Sequence, residues 1–122
     1  MQALLIDDSE SVRRFLRQVL SDRGCEVLEA ENGRDAWELL GSGWVPDVAF
    51  VDRQMPQMDG IDFVSMVRKD QRFDSMRIVM CCSPLTTVDQ RKLPPTAIQK
   101  YLPKPFVRES IARVFHDLTL TS

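Results

Sequence analysis

One stretch restricts what this chain can fold into more than any other: Val48 to Gly60, VAFVDRQMPQMDG. Four consecutive apolar residues leave no polar face, which is the pattern of a strand buried on both sides rather than on one. The run should end where Asp52 begins, and a loop with Met55, Pro56 and the Asp59-Gly60 turn pair follows at once. A single acid therefore stands at the carboxyl end of a central strand, where open α/β sheets place their chemistry.

The rest of the chain supplies elements that fit beside such a strand. Ala3 to Ile6 is a short apolar run ending in Asp7-Asp8, and Ser9 opens a stretch with Val12, Phe15, Leu16, Val19 and Leu20 at helical spacing. Gly24 stops that helix, Cys25 to Leu28 reads as a second strand, and Asn32 caps a helix that Gly41 and Gly43 end. Beyond Gly60, Ile61, Val64 and Val67 predict a third helix to about Asp70. Arg77 to Cys82 is the fourth strand. Pro84 suits the first turn of a fourth helix, which Pro94-Pro95 keep from running much past Lys92. Ile98 to Leu102 is a weaker strand, Ile111, Val114, Phe115 and Leu118 make a final amphipathic helix, and Thr119 to Ser122 is a tail.

Five strands alternating with five helices predict a doubly wound, flavodoxin-like α/β fold, a parallel sheet with helices on both faces. In the order 2-1-3-4-5, strands 1 and 3 are neighbours at the switch point, and Asp7, Asp8 and Asp52 converge at one edge. A chain of 122 residues suits one domain, 1–122, and is too short for two ordinary ones. The net charge of -2 offers no basic field for direct nucleic-acid binding. Apolar runs fall far short of the ~20 residues that span a bilayer, so no membrane insertion and a cytoplasmic location are expected. The three cysteines read as reduced, buried thiols, Cys81 and Cys82 facing opposite sides of a strand.

Three carboxylates within a few ångströms repel one another unless they share a proton or a cation, and Mg²⁺ is the hard, oxygen-seeking ion that resolves the conflict. Taken singly, Asp7 or Asp8 reads equally well as a helix cap.

The segments LLIDDSES (Leu4 to Ser11), PDVAFVDRQMPQMDG (Pro46 to Gly60) and YLPKPF (Tyr101 to Phe106) together resemble the receiver domain of two-component response regulators across nearly the whole chain. Asp8 and Asp52 lie 44 residues apart and Asp52 and Lys104 lie 52 apart, the family's register without insertion. Chemotaxis regulators of that family are a standing example of the 2-1-3-4-5 order, so topology and resemblance are not independent. The resemblance implies that Asp52 is the phosphate acceptor. Asp7, Asp8, Asp52 and the backbone carbonyl of Gln54 would hold Mg²⁺, and Lys104, before a cis Pro105, would pair with the phosphoryl group. Tyr101 matches the aromatic that turns inward on activation. Its plain alternative is an amphipathic tyrosine at a strand edge.

The likeness breaks in two places. Cys82 stands where the family has Ser or Thr, and a thiol is a poor donor to a phosphoryl group, so switching is weaker or Ser83 substitutes. Pro94-Pro95 shorten helix 4, and Ala97 takes a position often held by glycine, on the face family members use for partners. Gln54 and Pro84 occupy positions that set how long the phosphate lasts. Pro84 has no N–H to orient a water, so self-dephosphorylation is expected to be slow to moderate, with no other enzyme activity.

The resulting expectation is a stand-alone phosphorylation switch, served by a histidine kinase or histidine phosphotransfer protein. Its output partner is not named by the sequence, and it is a monomer or a phosphorylation-dependent dimer. The alternative is a phosphate-independent pseudo-receiver, raised by Cys82. An aspartate-nucleophile phosphohydrolase fits less well, because Asp7 and Asp8 are adjacent rather than one residue apart and no cap domain exists.

Overall fold

The computed structural model describes residues 1–120, and residues 121–122 lie outside the described part. Its centre is β3 (Val48–Asp52), all five residues of which are buried, as the unbroken apolar run requires. Around it stand β1 (Gln2–Ile6), β2 (Glu26–Ala30), β4 (Arg77–Cys81) and β5 (Lys100–Tyr101), all parallel, in the order β2-β1-β3-β4-β5.

The helices are α1 (Glu10–Ser21), α2 (Gly33–Gly41), α3 (Gly60–Arg68), α4 (Thr87–Gln90) and α5 (Arg108–Leu120). Four begin at side-chain caps: Ser9, Asn32, Asp59 and Thr86 each accept from the N–H three residues on. Two cores cover the two faces of the sheet. Leu4, Ile6, Ala49, Val51, Ile78 and Met80 pack under α2 and α3, while Leu5, Phe50, Val79 and Cys81 pack under α1 and α5. Alternate residues of each strand thus enter opposite cores, as strand geometry demands.

Several sequence-based boundaries move. β2 starts one residue later and continues to Ala30. The third helix ends at Arg68, because Asp70 instead caps a 3₁₀ turn, Gln71–Phe73. Pro84 precedes the fourth helix rather than entering it. The Thr86 hydroxyl binds both the N–H and the carboxylate of Asp89, and that local cap sets the start. β5 keeps two residues, and α5 runs through Leu120, so Thr119 and Leu120 belong to a helix and not to a tail. Cys82 lies past the end of β4 and is half-buried, unlike the buried Cys25 and Cys81; all three are free thiols.

Arg68 has no counterpart in the sequence reading. Its guanidinium donates to the carbonyls of Ala97 (3.0 Å), Phe73 (2.9 Å) and Met76 (2.7 Å), and to Gln99 Oε1 (3.2 Å). Burial pulls its pKa down, with Asp74 opposing. One side chain thereby ties α3 to the turn before β4 and to the α4–β5 connection. Arg68→Leu is expected to lower stability by about 2–3 kcal/mol in urea unfolding, since the half-buried carbonyls lose their donors. Arg68→Lys should recover only part, because an ammonium cannot reach three carbonyls in one plane.

Candidate functional site

Register brings the site together. Ile6 pairs with Val51 and Asp52 pairs with Cys81, so the residues just beyond β1, at the end of β3 and just beyond β4 share one edge. Lys104 arrives from the loop after β5, and its bond to Pro105 is cis.

Carboxylate oxygens of Asp7, Asp8 and Asp52 all lie within 4.8 Å of one another. Asp7 and Asp52 are buried and Asp8 is exposed. Neither Asp7 nor Asp8 is the cap of α1, since Ser9 takes that role with its hydroxyl 3.3 Å from the Val12 N–H. Asp7 is held from three sides: Oδ1 accepts from the Ser9 N–H at 2.9 Å, Oδ2 accepts from Lys104 Nζ at 2.9 Å, and its carbonyl accepts from Arg13. Lys104 Nζ also lies 3.2 Å from Asp52 Oδ1. One ammonium therefore bridges two carboxylates from neighbouring strands.

Burial raises the Asp52 pKa and the Asp7 charge adds to the rise, while the Lys104 charge and hydrogen bond and the Gln54 backbone N–H oppose it. For Lys104, burial works against the charged form, but the hydrogen bond to Asp7 and the charges of both acids hold its pKa above the ordinary lysine value. Three acids and one ammonium leave a net negative site made of hard oxygen donors. That donor set fits Mg²⁺ and does not suit a softer ion that seeks thiolate or imidazole.

An open cavity of about 530 Å³ covers these groups and is lined by Asp8, Asp52, Arg53, Gln54, Cys82 and Lys104, with Cys81 and Ser83 at its wall. Cys82 reaches the site as its sequence position predicts. Burial pushes its thiol up in pKa, Arg53 pulls it down, and Asp52 and Asp89 push it up further, so it is a neutral thiol. Ser83 is exposed at the rim. Tyr101 is not in this cavity. It is half-buried against the core in a second cleft with Leu85, Leu93, Pro94, Ala97 and Ile98.

The sequence reading missed Arg53 and Gly60. Arg53 lies 2.8 Å from Asp89 on α4, a pairing between residues far apart in the chain that no local pattern announces. Gly60 was read as a turn residue, yet it matters because any Cβ there would run into the Asp52 carbonyl.

The geometry has clear relatives. The family model of the response regulator receiver domain matches residues 3–116. Chemotaxis protein CheY1 of Helicobacter pylori is 37% identical over 107 residues, covering 87% of this chain and 86% of that protein. The sensor histidine kinase CheAY of the same organism is 36% identical over 112 residues, which are 91% of this chain but 14% of the kinase. Chemotaxis response regulator CheY4 of Vibrio cholerae superposes with a TM-score of 0.83 at 28% identity, covering 96% of this chain and 97% of that one. A sequence match that runs from the first strand into the last helix, over the same fold, makes this chain a member of the response regulator receiver domain family.

Proposed function

We propose that Asp52 is the residue that accepts the phosphoryl group, donated by a histidine kinase or a histidine phosphotransfer protein, and that its modification changes which partner the domain binds. The observation that carries this reading is the Lys104 ammonium, held 2.9 Å from Asp7 and 3.2 Å from Asp52. A cation so placed meets negative charge as it develops on a group transferred to Asp52.

In the reaction an Asp52 carboxylate oxygen attacks phosphorus, an O–P bond forms, and the P–N bond to the donor imidazole breaks, leaving its electron pair on nitrogen. Burial and the neighbouring Asp7 charge keep the nucleophile electron-rich. Asp7, Asp8, Asp52 and the Gln54 carbonyl would hold Mg²⁺, which when bound neutralises charge on the phosphoryl oxygens. Lys104 then exchanges its contact with the Asp52 carboxylate for one with the phosphoryl group, keeping Asp7.

Incubation with acetyl phosphate and Mg²⁺ tests the reading. A phosphorylated band, labile to hydroxylamine and absent with chelator, is expected. Its absence at saturating donor overturns the assignment. Loss of the acyl phosphate should be slow, over minutes or longer, because Pro84 cannot orient a water through a backbone N–H. A half-life of a few seconds, measured after donor removal, contradicts that.

Cys82 leaves the phosphoryl group short of one good donor. Cys82→Ser restores a hydroxyl in a nearly isosteric side chain. A hydrogen bond to a charged group is worth about 1.5–3 kcal/mol, so beryllofluoride should bind roughly tenfold tighter or more in titrations with Mg²⁺. Equal affinity would mean that another donor already fills the place.

A further inference from the structure

Two cationic side chains line the cavity over Asp52: Lys104, which already touches the acids, and Arg53, which does not. The Arg53 guanidinium is instead turned to α4, where Nη1 lies 2.8 Å from Asp89 Oδ2. Asp89 is buried, 8% exposed, and its other side-chain partner is the Thr86 hydroxyl at 3.1 Å. The helix that carries it is four residues long, bounded by its Thr86 cap and the turns before Pro94-Pro95. A helix of one turn contributes little stability of its own, so the Arg53 bridge is a direct tie between α4 and the loop that follows β3.

The half-buried Cys82 thiol lines the same cavity as Asp52 and Arg53, and a thiol is a weak donor. A phosphoryl group on Asp52 would place up to two negative charges and three acceptor oxygens in the same cavity. A planar guanidinium matches such oxygens better than it matches a single carboxylate.

We infer that Arg53 is a second cationic ligand of the phosphoryl group, held in reserve by Asp89, and that its transfer from Asp89 to that group releases α4. The inference rests on Asp52 being the acceptor. It gives this chain a way to couple the acceptor to the α4 face although Cys82 has replaced the hydroxyl. Arg53 acts by charge and reach, so Arg53→Lys should preserve part of the coupling and Arg53→Gln none.

The experiment uses the full chain with Mg²⁺ and beryllofluoride. Bound beryllofluoride is followed by ¹⁹F NMR and α4 by amide hydrogen exchange over residues 86–93. In the wild type, binding should raise exchange there at least threefold. Arg53→Gln should bind about tenfold more weakly and show no such rise, and Arg53→Lys should fall between. Asp89→Asn frees the guanidinium in advance. It should show fast α4 exchange without ligand and bind beryllofluoride about threefold tighter, a gain at a distance that loss of packing would not produce. Arg53→Gln that binds and responds like wild type overturns the inference, as does Asp89→Asn with unchanged affinity. No bound ¹⁹F signal in the wild type overturns the acceptor reading, and the shared arginine with it. A bound signal with unchanged α4 exchange overturns only the latter.

Discussion

Asp52→Asn is expected to abolish phosphorylation by acetyl phosphate, leaving only background incorporation. The amide keeps the shape of the side chain but loses the anionic oxygen that attacks phosphorus. Lys104 stays in place, because its contact with Asp7 at 2.9 Å survives the substitution. Phosphorylation at wild-type level in this variant would show that another acid is the acceptor. The same variant should be more stable than wild type at pH 7, by a few degrees in thermal unfolding. Burial and the Asp7 charge raise the Asp52 pKa in the folded state, so the folded chain holds that proton more tightly than the unfolded chain. Ionised Asp52 therefore costs stability above its folded pKa, and the cost fades as pH falls through the window between that value and the lower unfolded one. The advantage of the Asn variant should shrink across the same window. Lys104 does not alter this expectation: its raised pKa contributes stability that is fully present below the ordinary lysine range and is lost only at alkaline pH. Mg²⁺ should raise the melting temperature of wild type more than that of the variant, since one ligand oxygen has lost its charge.

What could be read from the sequence follows from how far each signal reaches along the chain. The β3 run, the Asn32 cap and the Asp8, Asp52 and Lys104 spacing are local patterns or short motifs, and the fold and the acid cluster appear where those patterns place them, whereas the α1 cap falls to Ser9 and not to Asp7 or Asp8. Boundaries moved where two local signals competed. Pro84 suggested a helix start, but the Thr86 hydroxyl and Asp89 formed the better cap three residues on. Lys100–Tyr101 kept only two strand residues because the Gln99 side chain, rather than a longer ladder, satisfies the Ile78 N–H. The Arg68 staple, the Arg53–Asp89 bridge and the cleft holding Tyr101 depend on tertiary approach between distant segments. No periodicity or cap encodes such contacts, which exist only once the sheet has ordered its strands.

Gly60→Ala is expected to damage both stability and chemistry, although Gly60 has no left-handed backbone to require it. An added Cβ would sit 2.3 Å from the Asp52 carbonyl oxygen and 2.9 Å from the Arg53 Cα, both backbone atoms that cannot swing aside. Contacts that close do not occur for real Cβ atoms, so the strand end and the first turn of α3 must part. The Gly60 N–H donates to the Arg53 carbonyl at 2.8 Å and closes the loop from Arg53 to Gly60, so this bond is lost or stretched as well. Alanine favours a helix over glycine by about 1 kcal/mol, whereas forced overpacking costs about 1–3 kcal/mol and more where backbone must move. Strain wins, and a net loss of about 2 kcal/mol is expected in urea unfolding. The displaced atoms belong to Asp52, the proposed acceptor, and to Arg53 beside it. A shift near 1 Å in a reacting group can lower a rate about a hundredfold, so phosphorylation by acetyl phosphate should fall at least tenfold even where the variant is fully folded. Wild-type stability together with wild-type phosphorylation would mean that the loop opens freely and that the close approach does not fix Asp52. A folded variant with slow phosphorylation would mean the reverse: the acceptor is aimed by the absence of one methyl group eight residues downstream.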